Sequence, residues 1–206
     1  MQELLRRNQE FANALPARVA DAVRSRFAEK KGQSPRIAFI DCSDSFSITE
    51  GKFNAGPNTL FVTRNIANIV PKASVLKARE KGLSAYLTYA VNHLKVGTIV
   101  VGGHYDCGGI KALTALGLES RGHHLEEDIA AWVSYAAKAK QALDTAISKK
   151  GLTASPEDYH KALVETNVLH SLSNVFKHPA VEKAVAAGTL KLMGVVTDFE
   201  SYKVSS

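Results

Sequence analysis

Two short runs rich in β-branched residues, Ile37-Ala38-Phe39-Ile40 and Thr98-Ile99-Val100-Val101, constrain this chain most, because each stops at a polar segment carrying a cysteine. Continuous apolar runs of this length read as buried strands. The first opens into Asp41-Cys42-Ser43-Asp44-Ser45, the second into Gly103-His104-Tyr105-Asp106-Cys107-Gly108-Gly109. Two strand ends therefore deliver Cys42, His104 and Cys107 to one edge of a sheet. Two thiolates and an imidazole suit Zn²⁺, and three protein ligands leave a fourth coordination position open, as catalytic zinc sites do. The other reading, a disulfide, needs an oxidising compartment of which the sequence gives no sign. It also leaves His104 and the neighbouring glycines without a part.

Hydrophobic residues at 45% and charged residues at 22% are ordinary for a soluble globular chain. No apolar run reaches bilayer-spanning length, so no membrane partner is expected. The opening Met-Gln-Glu-Leu-Leu-Arg-Arg lacks the continuous apolar segment of a secretory signal, and a cytoplasmic protein is expected. The formal charge of +6 raises the question of nucleic acid. Its cations, among them Arg6, Arg7, Arg24, Lys138, Lys140 and Lys149, are scattered among acids on polar helix faces, with no basic stripe interleaved with aromatics. That pattern reads as solvated surface, with no nucleic-acid partner.

Leu4, Leu5, Phe11, Leu15, Val19, Val23 and Phe27 recur near helical spacing, with Pro16 interrupting, which predicts a helical arm over residues 2–30. Strands are predicted over residues 36–41, 60–63 and 98–102, with a helix over Leu83, Leu87, Ala90, Val91 and Leu94 between the last two. Helices are predicted over residues 126–147, with Ile129, Val133, Ala136 and Ala137 as its apolar face, and over 156–176. A short helix over 181–187 ends at Gly188, and a further strand covers 190–196. Alternating strand and helix predicts an α/β fold, a mostly parallel central sheet flanked by helices. Ligand sites in such sheets gather at the carboxyl ends of strands, where Cys42 and His104 fall. No repeat or linker argues for a second unit, so residues 1–206 are expected to form one domain with residues 1–31 as its arm.

Gly32-Gln33-Ser34-Pro35, Cys42-Ser43-Asp44-Ser45, the stretch from Phe61 to Pro71 and the run from Gly103 to Lys111 occur in this order. Together they closely resemble the β-class carbonic anhydrases from about Gln33 to Leu113, and more weakly on to Phe199. The resemblance implies zinc on Cys42, His104 and Cys107, and reversible hydration of CO₂ to bicarbonate. It implies a pocket of Gln33, Phe61, Ile66, Tyr89 and Gly108, formed where two subunits meet, and so a homodimer or homotetramer in which the amino-terminal arm packs across its partner. An arm that covers its own sheet is the other reading of the same residues.

The family reads Cys-x-Asp-x-Arg, and here the fifth position is Phe46. In relatives that arginine holds the aspartate, here Asp44, away from the metal. A charge pair about 4 Å apart is worth about 4 kcal/mol at an effective dielectric of 20. Phe46 supplies none of it, so Asp44 is expected to visit the metal and activity to be reduced. Arg64 or Lys52 could replace the tether, or Phe46 could simply pack, joining the pocket. Carbonyl sulfide or carbon disulfide hydrolysis on the same scaffold, and weakly catalytic zinc or bicarbonate binding, are the alternative functions. His93, His123, His124 and His160 are proton-shuttle candidates by type, and Asp106, between two ligands, is placed to hydrogen-bond the site.

Overall fold

The computed structural model describes residues 1–75, 81–116 and 125–206. Five strands form one sheet in the order β2-β1-β3-β4-β5: β1 Ile37–Cys42, β2 Leu60–Asn65, β3 Thr98–His104, β4 Lys191–Thr197 and β5 Val204–Ser205. The first four are mutually parallel, and β5 pairs antiparallel to β4. Along β1 and β3 every residue after the first is buried, as continuous apolar runs covered on both faces require. The chain leaves β1 for β2 on one side and enters β3 on the other. The carboxyl ends of β1 and β3 therefore flank the point where strand order reverses, the usual ligand crevice of open α/β sheets.

The helices are α1 Gln2–Ala14, α2 Ala17–Ala28, α3 Thr49–Lys52, α4 Gly82–Thr88, α5 Gly108–Ala115, α6 Glu127–Ser134, α7 Ala137–Lys150, α8 Pro156–Phe176 and α9 Pro179–Ala186. A π-helical turn, Tyr89–His93, extends α4. The arm breaks at Pro16 as expected, and no residue of α1 or α2 is buried, which rules out an arm that covers its own sheet. The expected helix over 126–147 is two helices, parted at Tyr135 and Ala136. Val133 and Ala136 are buried, but Ala137 is exposed, and the buried face resumes at Ala139 in α7. Gly151, at φ 60°, ends α7 in the left-handed conformation that glycine adopts without strain.

The long helix α8 starts where its residues dictate. Ser155 accepts a hydrogen bond from the Asp158 N–H at 3.1 Å, Pro156 fills the first turn, and Glu157 and Asp158 meet the positive end of the helix dipole. It packs on β3 so tightly that a Cβ at Gly103 would stand 2.6 Å from Val168 Cγ2. Its inner face is partly polar. Asn167 Nδ2 donates to Ala67 O at 2.9 Å, Asn174 Nδ2 donates to Val70 O at 2.8 Å, and Ser171 Oγ accepts from Val70 N–H at 3.1 Å. These buried groups satisfy an irregular backbone in which Ala67 and Asn68 take positive φ, and so fix the segment that follows β2. Among the described residues, no helix is long and apolar enough to cross a membrane.

Candidate metal centre

Cys42 ends β1, His104 ends β3, and Cys107 caps the start of α5. Their ligand atoms all lie within 4.8 Å of one another, and all three residues are buried. The two sulfurs are 3.9 Å apart and both thiols are free. Two Zn–S bonds of about 2.3 Å at a tetrahedral angle place sulfurs about 3.8 Å apart, whereas a disulfide needs about 2.05 Å. The metal reading fits this separation and the disulfide does not. His104 Nδ1 lies 2.8 Å from Tyr105 O, an arrangement that protonates Nδ1 and leaves Nε2 as the lone-pair nitrogen. Nε2 is buried and among the described residues finds no hydrogen-bond partner, as a nitrogen kept for a cation would be.

The electrostatics of the metal-free pair point the same way. The Cys107 S–H beside it pulls Cys42 down to about 4, against the cost of burial, with His104 and the Asp44 N–H adding to the pull. Cys107 is pushed up by the Cys42 thiolate and by burial. Burial pushes His104 down, but the thiolate beside it more than offsets this, and the net shift is upward.

The next groups out show how the loop after Cys42 is held. Asp44 is partly exposed, with Oδ1 accepting from the Phe46 N–H at 3.0 Å and Oδ2 at 3.9 Å from His104 Nε2. Neither proposed substitute cation reaches that carboxylate. Arg64 instead donates from Nε to Cys42 O at 2.8 Å and from Nη2 to Asp44 O, gripping main chain. Lys52 lies below the sheet, where its Nζ meets Asp41 Oδ2 at 3.0 Å and Thr197 Oγ1 at 3.1 Å, with both charged side chains 0% exposed. Asp41 also accepts from the Cys42 N–H and from Thr49 Oγ1. The loop is therefore clamped through its backbone from both sides, while among the described residues the Asp44 side chain has no Lys or Arg partner.

Phe46 is 64% exposed and meets Phe199, whose ring stacks on the His104 imidazole at 4.4 Å and 21°. Sequence reasoning did not find Phe199 as a site residue, since it sits in a turn far along the chain. It also missed α5, whose Gly109 lets the helix approach: a Cβ there would stand 2.7 Å from Ile66 Cγ2. Phe61 stacks on Tyr86 at 4.7 Å and lies 5.9 Å from Tyr89. Ile66 and Tyr89 are 43% and 45% exposed, and Gln33 and Gly108 are also exposed. In the single chain these residues thus form an open shelf. Asp106 points away: it is exposed, at φ 61°, and paired with Lys111 at 2.7 Å. His93 is exposed and stacks on Tyr89 at 5.1 Å, His160 is pushed down by burial, and His123 and His124 lie outside the described residues.

The family model for carbonic anhydrase matches residues 37–204. The chain belongs to the β-class carbonic anhydrases. A carbonic anhydrase of Pseudomonas aeruginosa is 36% identical over 174 residues, spanning 84% of this chain and 74% of that protein. The β-carbonic anhydrase CcaA superposes with a TM-score of 0.84 at 29% identity, over 99% of this chain and 86% of that one. A Coccomyxa β-carbonic anhydrase, solved with acetazolamide, gives 0.80 at 28% identity over 99% and 84%. A carbonic anhydrase of this class is a metalloenzyme, and the Cys-His-Cys group here is one that could hold its metal.

Proposed function

We propose that this carbonic anhydrase reversibly hydrates CO₂ at a zinc ion held by Cys42, His104 and Cys107, at a rate limited by an untethered Asp44. The observation that carries the reading is the fit of the triad to a metal: two free thiols 3.9 Å apart beside a buried, unpartnered imidazole nitrogen. Zinc, when bound, supplies the Lewis acidity that lowers the pKa of water towards neutral. The chain supplies the rest. Cys42 and Cys107 as thiolates offset the dipositive charge, and Tyr105 O fixes the His104 tautomer. Asp44 stands beside His104 as a hydrogen-bond acceptor for the reacting group, and Arg64 positions it through the backbone. Phe61, Ile66 and Tyr89 offer an apolar shelf to an uncharged substrate, with Gln33 and Gly108 at its edge. His93, exposed beside Tyr89, is placed to pass a proton to solvent.

An open shelf excludes water poorly, and a second copy of the chain would close it. This supports a homodimer or homotetramer, with the unburied arm contributing to the contact; a Sordaria macrospora structure of this fold is described as tetrameric. The apolar Phe46–Phe199 pair beside His104 keeps a second substrate class in view, carbonyl sulfide or carbon disulfide. A carbon disulfide hydrolase shares the fold at 16% identity. Stopped-flow assays of zinc-loaded protein with CO₂ and with carbonyl sulfide, alongside sedimentation, test the whole reading. CO₂ hydration by an oligomer is expected. A preference for carbonyl sulfide selects the second class, and a zinc-loaded protein inert to both leaves only a binding role.

A further inference from the structure

Phe46 is not idle where relatives carry arginine. It belongs to a cluster of three rings that ends on a metal-ligand candidate. Phe46 and Phe199 lie 6.0 Å apart, centroid to centroid, Phe199 and Tyr202 are also 6.0 Å apart, and Phe199 covers the His104 ring at 4.4 Å with the planes only 21° apart. Tyr202 Oη donates to Phe46 O at 3.3 Å, closing the group on the loop that follows Cys42. The turn between β4 and β5, which carries Phe199 and Tyr202, is thereby fastened to both the Cys42 loop and the end of β3.

We propose that Phe199 is a positioning residue for His104, and that Phe46 acts on the metal site through Phe199 rather than through Asp44. The imidazole has one in-plane restraint, the hydrogen bond from Nδ1 to Tyr105 O, about which the ring can still rock. A stacked ring on its face removes that freedom and keeps the imidazole within reach of both sulfurs. Phe199 is itself half-buried at the surface, so it needs backing, and Phe46 and Tyr202 provide it. Position 46 has thus exchanged a charge that steadies the aspartate for a ring that steadies the histidine.

The proposal rests on the reading of Cys42, His104 and Cys107 as metal ligands, and the test separates the two. Zinc-loaded wild type, Phe199→Leu, Phe199→Tyr, Phe46→Leu and Tyr202→Phe are challenged with a chromogenic chelator, and zinc release is timed. Carbon- and nitrogen-edited NMR of the metal-free proteins reads the His104 ring resonances. Phe199→Leu is expected to release zinc roughly tenfold faster, as loss of a partner of a metal-ligating histidine typically costs 10–100-fold in affinity. It should also lose the upfield ring-current shift on His104. Phe199→Tyr restores both, Phe46→Leu speeds release to a smaller extent, and Tyr202→Phe changes little. Zinc that never binds wild type defeats the ligand reading itself. Zinc that binds wild type but leaves Phe199→Leu no faster overturns the proposal, as does Phe199→Tyr behaving like Phe199→Leu, because a ring able to stack would then not restore the site. If Phe199→Leu fails to fold, Phe46→Leu decides: unchanged release from it overturns the proposal.

Discussion

Replacing Lys52 with Met removes the positive half of an ion pair with no solvent exposure while keeping most of the volume of the aliphatic stem. Asp41 would retain hydrogen bonds from Thr49 Oγ1 at 2.6 Å and from the Cys42 N–H at 2.9 Å, but no other ion-pair partner among the described residues. The Phe39 and Phe53 rings, whose centroids lie 5.3 and 5.7 Å from Nζ, would lose their cation as well. Removing one partner of a buried pair costs about 3–5 kcal/mol, because the stranded charge pays its desolvation alone. In a chain of this length each kcal/mol lowers Tm by about 2–4 °C, so a fall of roughly 6–20 °C is expected. The measurement is thermal and guanidinium unfolding of metal-stripped protein at fixed concentration, so that metal and assembly do not contribute to the difference. Asp41→Leu combined with Lys52→Met should recover most of the loss, since an apolar pair of similar volume is often neutral or better. Lys52→Met within about 1 kcal/mol of wild type would show that the pair is hydrated in solution, and would refute the argument from burial.

Three further outcomes are expected. Cys107→Ser should reduce bound zinc from one per chain to almost none by elemental analysis, since a hydroxyl is a poor substitute for a thiolate. Phe46→Arg should raise CO₂ hydration roughly tenfold, equivalent to about 1.4 kcal/mol of barrier, by tethering Asp44. The same change should speed zinc release by taking the backing from Phe199, and an enzyme that is slower while fully zinc-loaded would mean that Asp44 needs no tether. In metal-free protein, ultraviolet absorbance of thiolate should show one step near pH 4, where Cys42 ionises beside the Cys107 S–H. Above that step the pair holds one proton rather than two. Cys107 is raised and should give no second step in the neutral range, so two thiolates at neutral pH would contradict the shared-proton geometry.

The strands bearing the ligands were legible because their signal is local: a β-branched run, then Cys or His at its end. The break between α6 and α7 was not, because Ala136 and Ala137 look alike in sequence and only packing decides which is buried. The inner face of α8 was illegible for a related reason. Asn167, Ser171 and Asn174 are polar residues with no motif to mark them, yet they are buried to satisfy the backbone of residues 67–70. In sequence Lys52 is a candidate tether for Asp44 and Asp41 the end of a strand, and only the convergence of β1 with α3 makes them a pair. Phe199 lies in a turn with no motif of its own, and its contact with His104 arises from the pairing of β4 with β3. The metal ligands could be read from neighbours in sequence, whereas their supports depend on contacts between distant segments.

Neither α1 nor α2 buries a residue, and at 13 and 12 residues each lies at a length where an isolated helix is marginal in water. In the proposed oligomer their order would therefore depend on protein concentration as much as on sequence. Dilution that separates the subunits should unwind these two segments first, while the sheet that carries Cys42 and His104 keeps its shape. Far-ultraviolet circular dichroism across a dilution series would then report assembly as a loss of helix signal, with Leu4, Leu5, Phe11 and Phe27 as the side chains whose cover has gone.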